Sequence, residues 1–444
     1  MHIAIDAHMV GERETGNETY TLNLIRGLLR VAGRDPKGFS WDAGESPGAS
    51  DGLRRAEARR WGATPRFSLL TPHPERLHAA LPELGDFPHA AVVKLRPANA
   101  LLRIPFGLPA AALRRSVDLL HVTYNAPPVA SCPVVVTIHD ISFELYPEFF
   151  SPRDYAVLKT LVPFSARRAA RVITVSQHAK REIVQRYGID PAKVVVTYEA
   201  AAGQFQPVSD PAALQAVRDK YGIGDGPFLL ALGNLQPRKN IARLVEAFRQ
   251  AVSDERLTAN SGRPTSHGEQ RATTPDYRSL VTDHSTALRD GTPWSLVIAG
   301  KAQWRESEIF TTVQRASLED RVVFPGYVDD ADLPALYSAA TAFVYPSLYE
   351  GFGLPPLEAM ACGTPVVCSS AASLPEVVGD AAVSIDPLRV DSLAQGLSDV
   401  LGNAGLRDDL RARGLRRAAR FSWDRCAAET LAVYAAAQPA RLKP

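Results

Sequence analysis

The chain has few cysteines, and none are arranged as a metal or redox motif. Its four cysteines, Cys132, Cys362, Cys368 and Cys426, form no Cys-x-x-Cys pair and have no histidine at metal-ligand spacing. This pattern excludes the usual zinc motifs and disulfide frameworks. It indicates free, mostly buried thiols in a reducing compartment.

Long apolar runs and a large net charge are also missing. No run of about 18 apolar residues is present that is able to span a bilayer, and the first residues, MHIAIDAHMV, predict a strand rather than a signal peptide. The net charge is +2, which gives no global attraction to nucleic acid. With 45% hydrophobic and 22% charged residues, the composition is typical of a globular protein. We therefore expect a cytoplasmic protein, with peripheral contact at the inner face of the membrane as an open alternative.

Short apolar runs alternate with helical patterns along most of the chain, which predicts an α/β fold with parallel sheets. The pattern restarts near residue 205, so two Rossmann-like, doubly wound domains are expected. Polar stretches at 33–65 and 253–293 interrupt the alternation and are predicted to be surface insertions. Strands are predicted at 2–6, 67–71, 91–95, 119–123, 134–139, 171–175 and 194–198, and then at 228–233, 295–299, 322–324, 342–345, 365–368 and 382–385.

Glu350 and Glu358 flank a glycine loop in the segment YEGFGLPPLEAMACGTPVV. The apolar run before them predicts a buried strand, and the doublet Pro355-Pro356 suits the first turn of a helix, where an N–H is not needed. A helix N-terminus after a glycine loop favours an anion, because its free N–H groups and its dipole both point outward. We therefore predict a phosphate site between the loop carboxylate and a first-turn Glu358. A simple turn with a dipole partner is the alternative.

Two adjacent cations follow another predicted strand end. The strand ends at Gly233, and Arg238 and Lys239 are predicted at the start of the next helix. Cations at a helix N-terminus are unfavourable unless an anion binds there. A diphosphate is the anion expected here, since arginine binds it bidentately and lysine as a point charge. A solvated basic turn is the alternative.

The first half of the chain offers a second group of candidates. His139 and Asp140 end the predicted strand 134–139, and ligands of open α/β sheets bind at the carboxyl ends of strands. A capping histidine is the alternative for His139, and Asp140 either orients the imidazole or caps the next turn. Gly16 precedes a predicted helix N-terminus near Asn17 and allows close backbone approach to a ligand.

The segment 326–387 resembles the donor half of retaining glycosyltransferases with the GT-B fold, in family 4 (glycosyl transferases group 1). The likeness rests on the E-x7-E pattern Glu350-Gly-Phe-Gly-Leu-Pro-Pro-Leu-Glu358. The segments DAHMVGERETG, TIHDISFELYPEFF and LQPRKN are similar to a mannosyltransferase-like subset. The resemblance implies two domains facing a cleft. Residues 1–205 form the acceptor side, 206–422 bind the nucleotide sugar, and the C-terminal helix 423–444 packs back on the first domain.

The resemblance also implies roles for the candidate residues. Glu350 lies near the transferred sugar, with His139 and Asp140 as further catalytic candidates, while Glu358 hydrogen-bonds the ribose of the nucleotide. The remaining candidates bind the donor, mainly its diphosphate: Gly16, Gly233, Arg238, Lys239, Gly351, Phe352, Gly353 and Leu354.

These implications define the predicted function. The chain is expected to be a retaining hexosyltransferase, with mannose from GDP-mannose as the first candidate donor. Its partners are the nucleotide sugar and a saccharide or lipid-linked acceptor of cell-surface polysaccharide or glycolipid synthesis, with no nucleic acid. Since no Asp-x-Asp stands on a suitable loop, neither a metal nor another cofactor is expected.

Two points stay open at this stage. The basic and apolar segment Leu101–Ser116, with Arg103, Arg114 and Arg115, is either an ordinary surface helix or a face that contacts an anionic membrane. A GT-B epimerase and a non-catalytic nucleotide-sugar-binding protein are the alternatives to a transferase.

Overall fold

The computed structural model describes residues 1–11, 16–33, 64–253, 294–301 and 307–438. Most of the two predicted insertions, 34–63 and 254–293, lies outside the described residues. The chain divides into two compact units, Met1–Ala200 with Phe421–Pro444, and Ala201–Arg420. In the described ranges, no helix is both long enough and apolar enough to cross a membrane.

Unit 1 is built on a seven-stranded parallel sheet with the order β3-β2-β1-β4-β5-β6-β7. The interior strand β1 pairs with β2 on one side and β4 on the other, through Ile3 opposite Phe67 and Leu119. The chain therefore winds outward in both directions from β1. The strands are β1 His2–Asp6, β2 Arg66–Thr71, β3 Ala90–Lys94, β4 Leu119–Thr123, β5 Val134–Thr137, β6 Arg171–Thr174 and β7 Val194–Val196.

Helices connect these strands, as parallel pairing requires. In the first helix Tyr20, Leu24 and Leu28 recur one turn apart and are fully buried, which places an apolar stripe on the core. The helices are α1 Gly16–Ala32, α2 Pro74–Ala80, α3 Ala100–Leu102, α4 Leu108–Arg114, α5 Ser142–Leu145, α6 Pro152–Arg168 and α7 Gln177–Tyr187. Shorter turns are 3-10 at Pro82–Asp86, Pro147–Phe149 and Pro191–Lys193, and π at Arg103–Gly107.

Unit 2 repeats the arrangement with a six-stranded parallel sheet of order β10-β9-β8-β11-β12-β13. Both faces of its strands are covered: Leu229 and Leu296 pack into one core cluster, and Leu230 and Val297 into the other. The strands are therefore continuous apolar runs. They are β8 Phe228–Leu232, β9 Ser295–Ala299, β10 Val322–Gly326, β11 Ala342–Tyr345, β12 Val366–Ser369 and β13 Ala382–Ile385.

The helices of unit 2 complete the layers on both faces of this sheet. They are α8 Pro211–Lys220, α9 Ile241–Ser253, α10 Ser307–Arg315, α11 Leu333–Ala339, α12 Leu354–Ala361, α13 Leu374–Val378, α14 Val390–Gly402 and α15 Ala404–Ala418, with a 3-10 turn at Pro237–Lys239. The two parallel sheets confirm the predicted α/β class with two Rossmann-like domains.

The last helix, α16 (Trp423–Ala437), belongs to unit 1. It packs against α1 so closely that a Cβ on Gly27 would lie 2.7 Å from the Trp423 carbonyl oxygen. At its other end the Tyr434 hydroxyl lies 2.6 Å from Nδ1 of the buried His121 on β4. The glycine on α1 and the small residues of α16 are thus the local reason that the chain end returns to the first unit.

The segment Leu101–Ser116 does not form one amphipathic helix. Its backbone passes through α3, the π turn and α4, and Arg103 is buried with its guanidinium donating to the Ala98 carbonyl at 3.2 Å. Arg103 is therefore not part of a basic surface. The exposed large apolar side chains of the segment are Leu101, Leu102, Phe106 and Leu113.

Candidate active site

Glycines bring the backbone together at the carboxyl ends of β8 and β9. Gly233 and Gly300 have φ values of +145° and +143°, which favour glycine. A Cβ on Gly300 would lie 2.0 Å from the Gly233 carbonyl oxygen, so no other residue fits there. The Gly300 N–H donates to the Gly326 carbonyl at the end of β10, at 2.7 Å. Three strand ends therefore meet at a surface of bare backbone.

Arg238 and Lys239 lie one turn earlier than the sequence predicts. They belong to the 3-10 turn Pro237–Lys239, which Asn240 ends with φ +61°, and α9 begins only at Ile241. Since the two cations precede the helix, the electrostatic conflict expected at its N-terminus is reduced. The Asn240 amide donates to carbonyls of the loops after β11 and β13, at 3.1 Å to Pro346 and 2.7 Å to Pro387.

The anion that these cations require is present in the chain itself. Oε1 of Glu350 lies 2.8 Å from Nη1 of Arg238 and 2.7 Å from Nζ of Lys239, and it accepts a hydrogen bond from the Ser347 hydroxyl at 2.7 Å. Arg238 also donates to the Tyr349 carbonyl at 3.0 Å. One carboxylate oxygen therefore contacts both cations.

This cluster controls the ionisation of Glu350. The side chain is 90% buried, and burial by itself raises the pKa of a carboxyl group. Arg238 and then Lys239 outweigh the burial and lower the pKa of Glu350 to about 2. Glu350 is therefore a carboxylate throughout the physiological range, available to hydrogen-bond hydroxyl groups or to support positive charge.

Lys239 has a second partner that fixes its position. Its ammonium donates to the Tyr345 hydroxyl at 2.5 Å and lies 4.7 Å from the centroid of that ring. The lysine stem packs against bare backbone, since a Cβ on Gly233 would lie 3.3 Å from Lys239 Cε. The charged group is thus held at the strand ends of β8 and β11.

The glycine loop leads into a helix as the sequence predicts. Gly353 has φ +123°, a Cβ there would lie 2.7 Å from the Leu374 side chain, and α12 follows with Pro355 and Pro356 in its first turn. The N-cap residue Gly353 has no side chain to cap the helix. The Ser373 hydroxyl contacts the backbone of the loop, since it lies 2.8 Å from the carbonyl oxygen of Glu350 and 2.7 Å from that of Phe352. Gly351 lies in the same loop.

Glu358 lies in the second turn of α12, not in the first as predicted, because the helix begins at Leu354. Its Oε2 accepts a hydrogen bond from the Tyr337 hydroxyl of α11 at 3.1 Å, and both side chains are buried. Burial, and to a lesser extent the nearby Asp330, raises the pKa of Glu358 to about 7. The two glutamates of the motif therefore have opposite electrostatic environments.

His139 in unit 1 is buried among aromatic rings. Its ring meets Tyr20 edge-on with centroids 4.5 Å apart, and Tyr124 lies at 5.7 Å. Among the described residues neither ring nitrogen has a hydrogen-bond partner, although Nε2 lies 3.7 Å from a carboxylate oxygen of the buried Glu199. Burial, and then His121, lowers the pKa of His139 to about 3. His139 is therefore neutral at physiological pH.

The two remaining candidates have local roles in the structure. Asp140 Oδ1 accepts from the Ser142 amide at 2.9 Å and from its hydroxyl at 2.8 Å, so Asp140 caps the next turn. Gly16 is the first residue of α1, and a Cβ there would meet no atom within 4 Å. A residue with a side chain would therefore fit at position 16 without a steric clash.

Sequence reasoning did not find several residues that build this site. Ser347, Ser373, Asn240 and Tyr337 supply hydrogen bonds to the motif or its loop, and Glu199 faces His139. Ser347 precedes Glu350 by three residues, and this proximity is the one signal that was available. The others reach the site through the fold.

Two family models match the chain: Glycosyltransferase Family 4 over residues 15–200 and Glycosyl transferases group 1 over residues 280–417. O-antigen chain mannosyltransferase B of Escherichia coli is 34% identical over 300 residues, which is 68% of this chain and 69% of that protein. Serotype-specific mannosyltransferase WbdA of Escherichia coli is 30% identical over 259 residues, 58% of this chain and 27% of the length of WbdA.

Solved structures agree on the fold. The crystal structure of HepE from Anabaena, in complex with UDP and glucose, matches with a TM-score of 0.62 at 18% identity over 98% of both chains. The chain therefore belongs to glycosyltransferase family 4 (glycosyl transferases group 1) and has the GT-B fold. It is a glycosyltransferase.

Proposed function

We propose that the chain transfers a hexose from a nucleotide-diphosphate sugar to a saccharide or lipid-linked saccharide in cell-surface polysaccharide synthesis. The similarity to O-antigen mannosyltransferases supports mannose as the sugar and GDP-mannose as the first donor to test. The observation that carries the proposal is the convergence of Arg238, Lys239 and Glu350 at the strand ends of unit 2.

The donor diphosphate binds beside Arg238 and Lys239. A diphosphate carries the negative charge that an arginine and a lysine side by side attract. The amides of Gly353 and Leu354 are the first donors of α12, and the two prolines that follow have no N–H to offer. Free amides and cations together stabilise the charge that grows on the leaving nucleoside diphosphate.

The acceptor hydroxyl attacks the anomeric carbon on the same face of the sugar ring from which the leaving group departs. Transfer therefore proceeds with retention of configuration. The bond from the anomeric carbon to the phosphate oxygen breaks, and a bond to the acceptor oxygen forms. The acceptor hydroxyl proton goes to the leaving phosphate oxygen. Glu350 binds hydroxyl groups of the sugar and supports positive charge at the anomeric carbon, because its pKa of about 2 keeps it ionised. No step in this scheme uses a metal ion.

Two further residues, one in each unit, have proposed roles. Glu358 accepts hydrogen bonds from the ribose hydroxyls, and these are strongest when Glu358 is ionised. His139 acts as a neutral hydrogen-bonding group toward the carbohydrate, since its pKa of about 3 rules out a role as a resident cation. Asp140 supports the turn after β5.

The acceptor side includes contact with an anionic membrane. Leu101, Phe106 and Leu113 are 70%, 65% and 67% exposed on one short segment, and Arg114 and Arg115 follow it. Apolar side chains next to basic ones favour binding at a lipid interface. We expect the wild type to co-sediment with anionic vesicles at low salt. Phe106→Ser should reduce this co-sedimentation, whereas Leu415→Ser in unit 2 should not. If both variants pelleted with the vesicles to the same extent as the wild type, this contact would be contradicted.

A thermal-shift panel tests the donor assignment. The purified chain is heated with GDP-, UDP- and ADP-sugars in the presence of EDTA. A ligand at 100 times its dissociation constant stabilises the fold by about 2.7 kcal/mol. We expect a shift with GDP-mannose that Lys239→Gln reduces. A shift that appears only when a divalent ion is restored would contradict metal independence, and no shift with any nucleotide sugar would contradict the proposed function.

A further inference from the structure

The Tyr337 hydroxyl donates a hydrogen bond to Glu358. The packing of the Tyr337 ring does not by itself explain why a hydroxyl is present there. The Tyr337 ring is fully buried and packs edge-on against Phe205 at 5.9 Å and Phe343 at 5.3 Å. A phenylalanine would make both ring contacts. The hydroxyl adds one interaction, the 3.1 Å hydrogen bond to Oε2 of Glu358.

That hydrogen bond opposes the environment of the carboxyl group. Burial raises the pKa of Glu358, Asp330 adds to the effect, and the Tyr337 hydroxyl counteracts both. The Cys362 thiol is a further titratable group close to Glu358, and its raised pKa of about 12 keeps it neutral. Without the hydroxyl, Glu358 would hold its proton to higher pH and would present an O–H where an acceptor is needed.

We propose that Tyr337 is a positioning residue for nucleotide binding: its hydroxyl donates to Oε2 of Glu358 and holds the carboxyl group in place, so that Oε1 accepts hydrogen bonds from the ribose hydroxyls. This inference rests on the proposed function, because it takes the ribose of a nucleoside diphosphate as the ligand of Glu358. It assigns to α11 an indirect part, through Glu358, in recognising the ribose rather than the base or the diphosphate.

Binding of two nucleotides tests the inference. GDP and 2′,3′-dideoxy-GDP differ only in the two ribose hydroxyls, so the ratio of their dissociation constants reports the ribose contact. In the wild type we expect GDP to bind more tightly, with an advantage that grows from pH 6 to pH 8 as Glu358 ionises. Tyr337→Phe should reduce this advantage roughly tenfold at pH 7, as expected for loss of one hydrogen bond to a charged group, and should leave dideoxy-GDP binding unchanged.

Two measurements separate the possible failures. The carboxyl carbon of Glu358, observed by NMR without ligand and assigned with Glu358→Gln, should titrate at higher pH in Tyr337→Phe. An unchanged titration, or the same GDP to dideoxy-GDP ratio in both proteins, would overturn the role of Tyr337. If the wild type bound neither nucleotide, nor the UDP and ADP counterparts, the proposed function would fall and this inference with it.

In a Glu358→Ala background, Tyr337→Phe should no longer affect the ratio. This arm distinguishes an effect that passes through Glu358 from a general disturbance of the unit 2 core. A persistent effect of Tyr337→Phe in that background would show that the hydroxyl acts elsewhere, which would contradict the inference.

Discussion

Replacing Glu350 by glutamine removes the counter-anion of two cations while keeping the shape of the side chain. The Glu350 side chain is 10% exposed, Lys239 is 11% exposed and Arg238 is 23% exposed, so solvent compensates the loss poorly. We expect Glu350→Gln to destabilise the ligand-free protein and to strengthen its binding of a phosphate anion.

The magnitude follows from the ionisation of Glu350. Its pKa falls from an ordinary 4.5 to about 2 in the folded protein. At about 1.36 kcal/mol for each tenfold change in proton affinity, the folded state favours the carboxylate by about 3 kcal/mol. Removing one member of a buried ion pair costs about 3–5 kcal/mol. Because Arg238 is partly hydrated, the lower figure of about 3 kcal/mol is the expected loss in the free energy of unfolding of unit 2.

The pH dependence provides an internal check. A carboxyl group whose pKa is lowered on folding stabilises the protein above its unfolded pKa, and this stabilisation is lost as the pH falls toward its folded pKa. The difference in the free energy of unfolding between the wild type and Glu350→Gln should therefore be largest near pH 7 and should begin to decrease below pH 4.5. Urea unfolding from pH 7.5 to pH 3.5 measures it, with the exposed Glu319→Gln in the same unit as a matched control.

Pyrophosphate extends the test to function. In Glu350→Gln the two cations lose the negative charge of Glu350, so pyrophosphate should bind more tightly and restore part of the lost stability, while sugar transfer should fall. A variant as stable as the wild type, or one that binds pyrophosphate more weakly, would refute the account of Glu350 as the counter-anion of Arg238 and Lys239.

Three further substitutions have defined outcomes. Gly27→Ala places a Cβ 2.7 Å from the Trp423 carbonyl oxygen, so unit 1 should lose about 1–3 kcal/mol in urea unfolding. Gly300→Ala combines a 2.0 Å contact to the Gly233 carbonyl with φ +143°, and its yield of folded protein on gel filtration should drop sharply, whereas near-normal yield would contradict the packing described. His139→Ala should lower transfer without removing any ionisation between pH 5 and pH 8 from the rate profile, since His139 is already neutral there.

The strands were predictable because their residues are continuous apolar runs between turn signals. Every predicted strand is present, and the ends differ by one or two residues. The glycine loop with Pro355 and Pro356 was predictable for a similar reason, as local backbone chemistry specifies it. The sequence also predicted an anion near Arg238 and Lys239.

The identity of that anion was not predictable. Glu350 lies 111 residues from Lys239 along the chain, and only the pairing of β8 with β11 brings the two together. Likewise, the position of Glu358 depended on where α12 begins. Helix boundaries are set by capping geometry that a doublet of prolines leaves ambiguous by a turn. The partner of Glu358, Tyr337, lies on another helix, and no local pattern marks it.

We propose that this glycosyltransferase moves a hexose from a nucleotide sugar with its configuration retained and without a metal. The most direct measurement is NMR of the product formed from GDP-mannose and a mannoside acceptor in the presence of EDTA. The account predicts a new glycosidic linkage with the α configuration of the donor, formed at a rate that Glu350→Gln reduces. A β-linked product, or transfer that occurs only after a divalent ion is added, would contradict it.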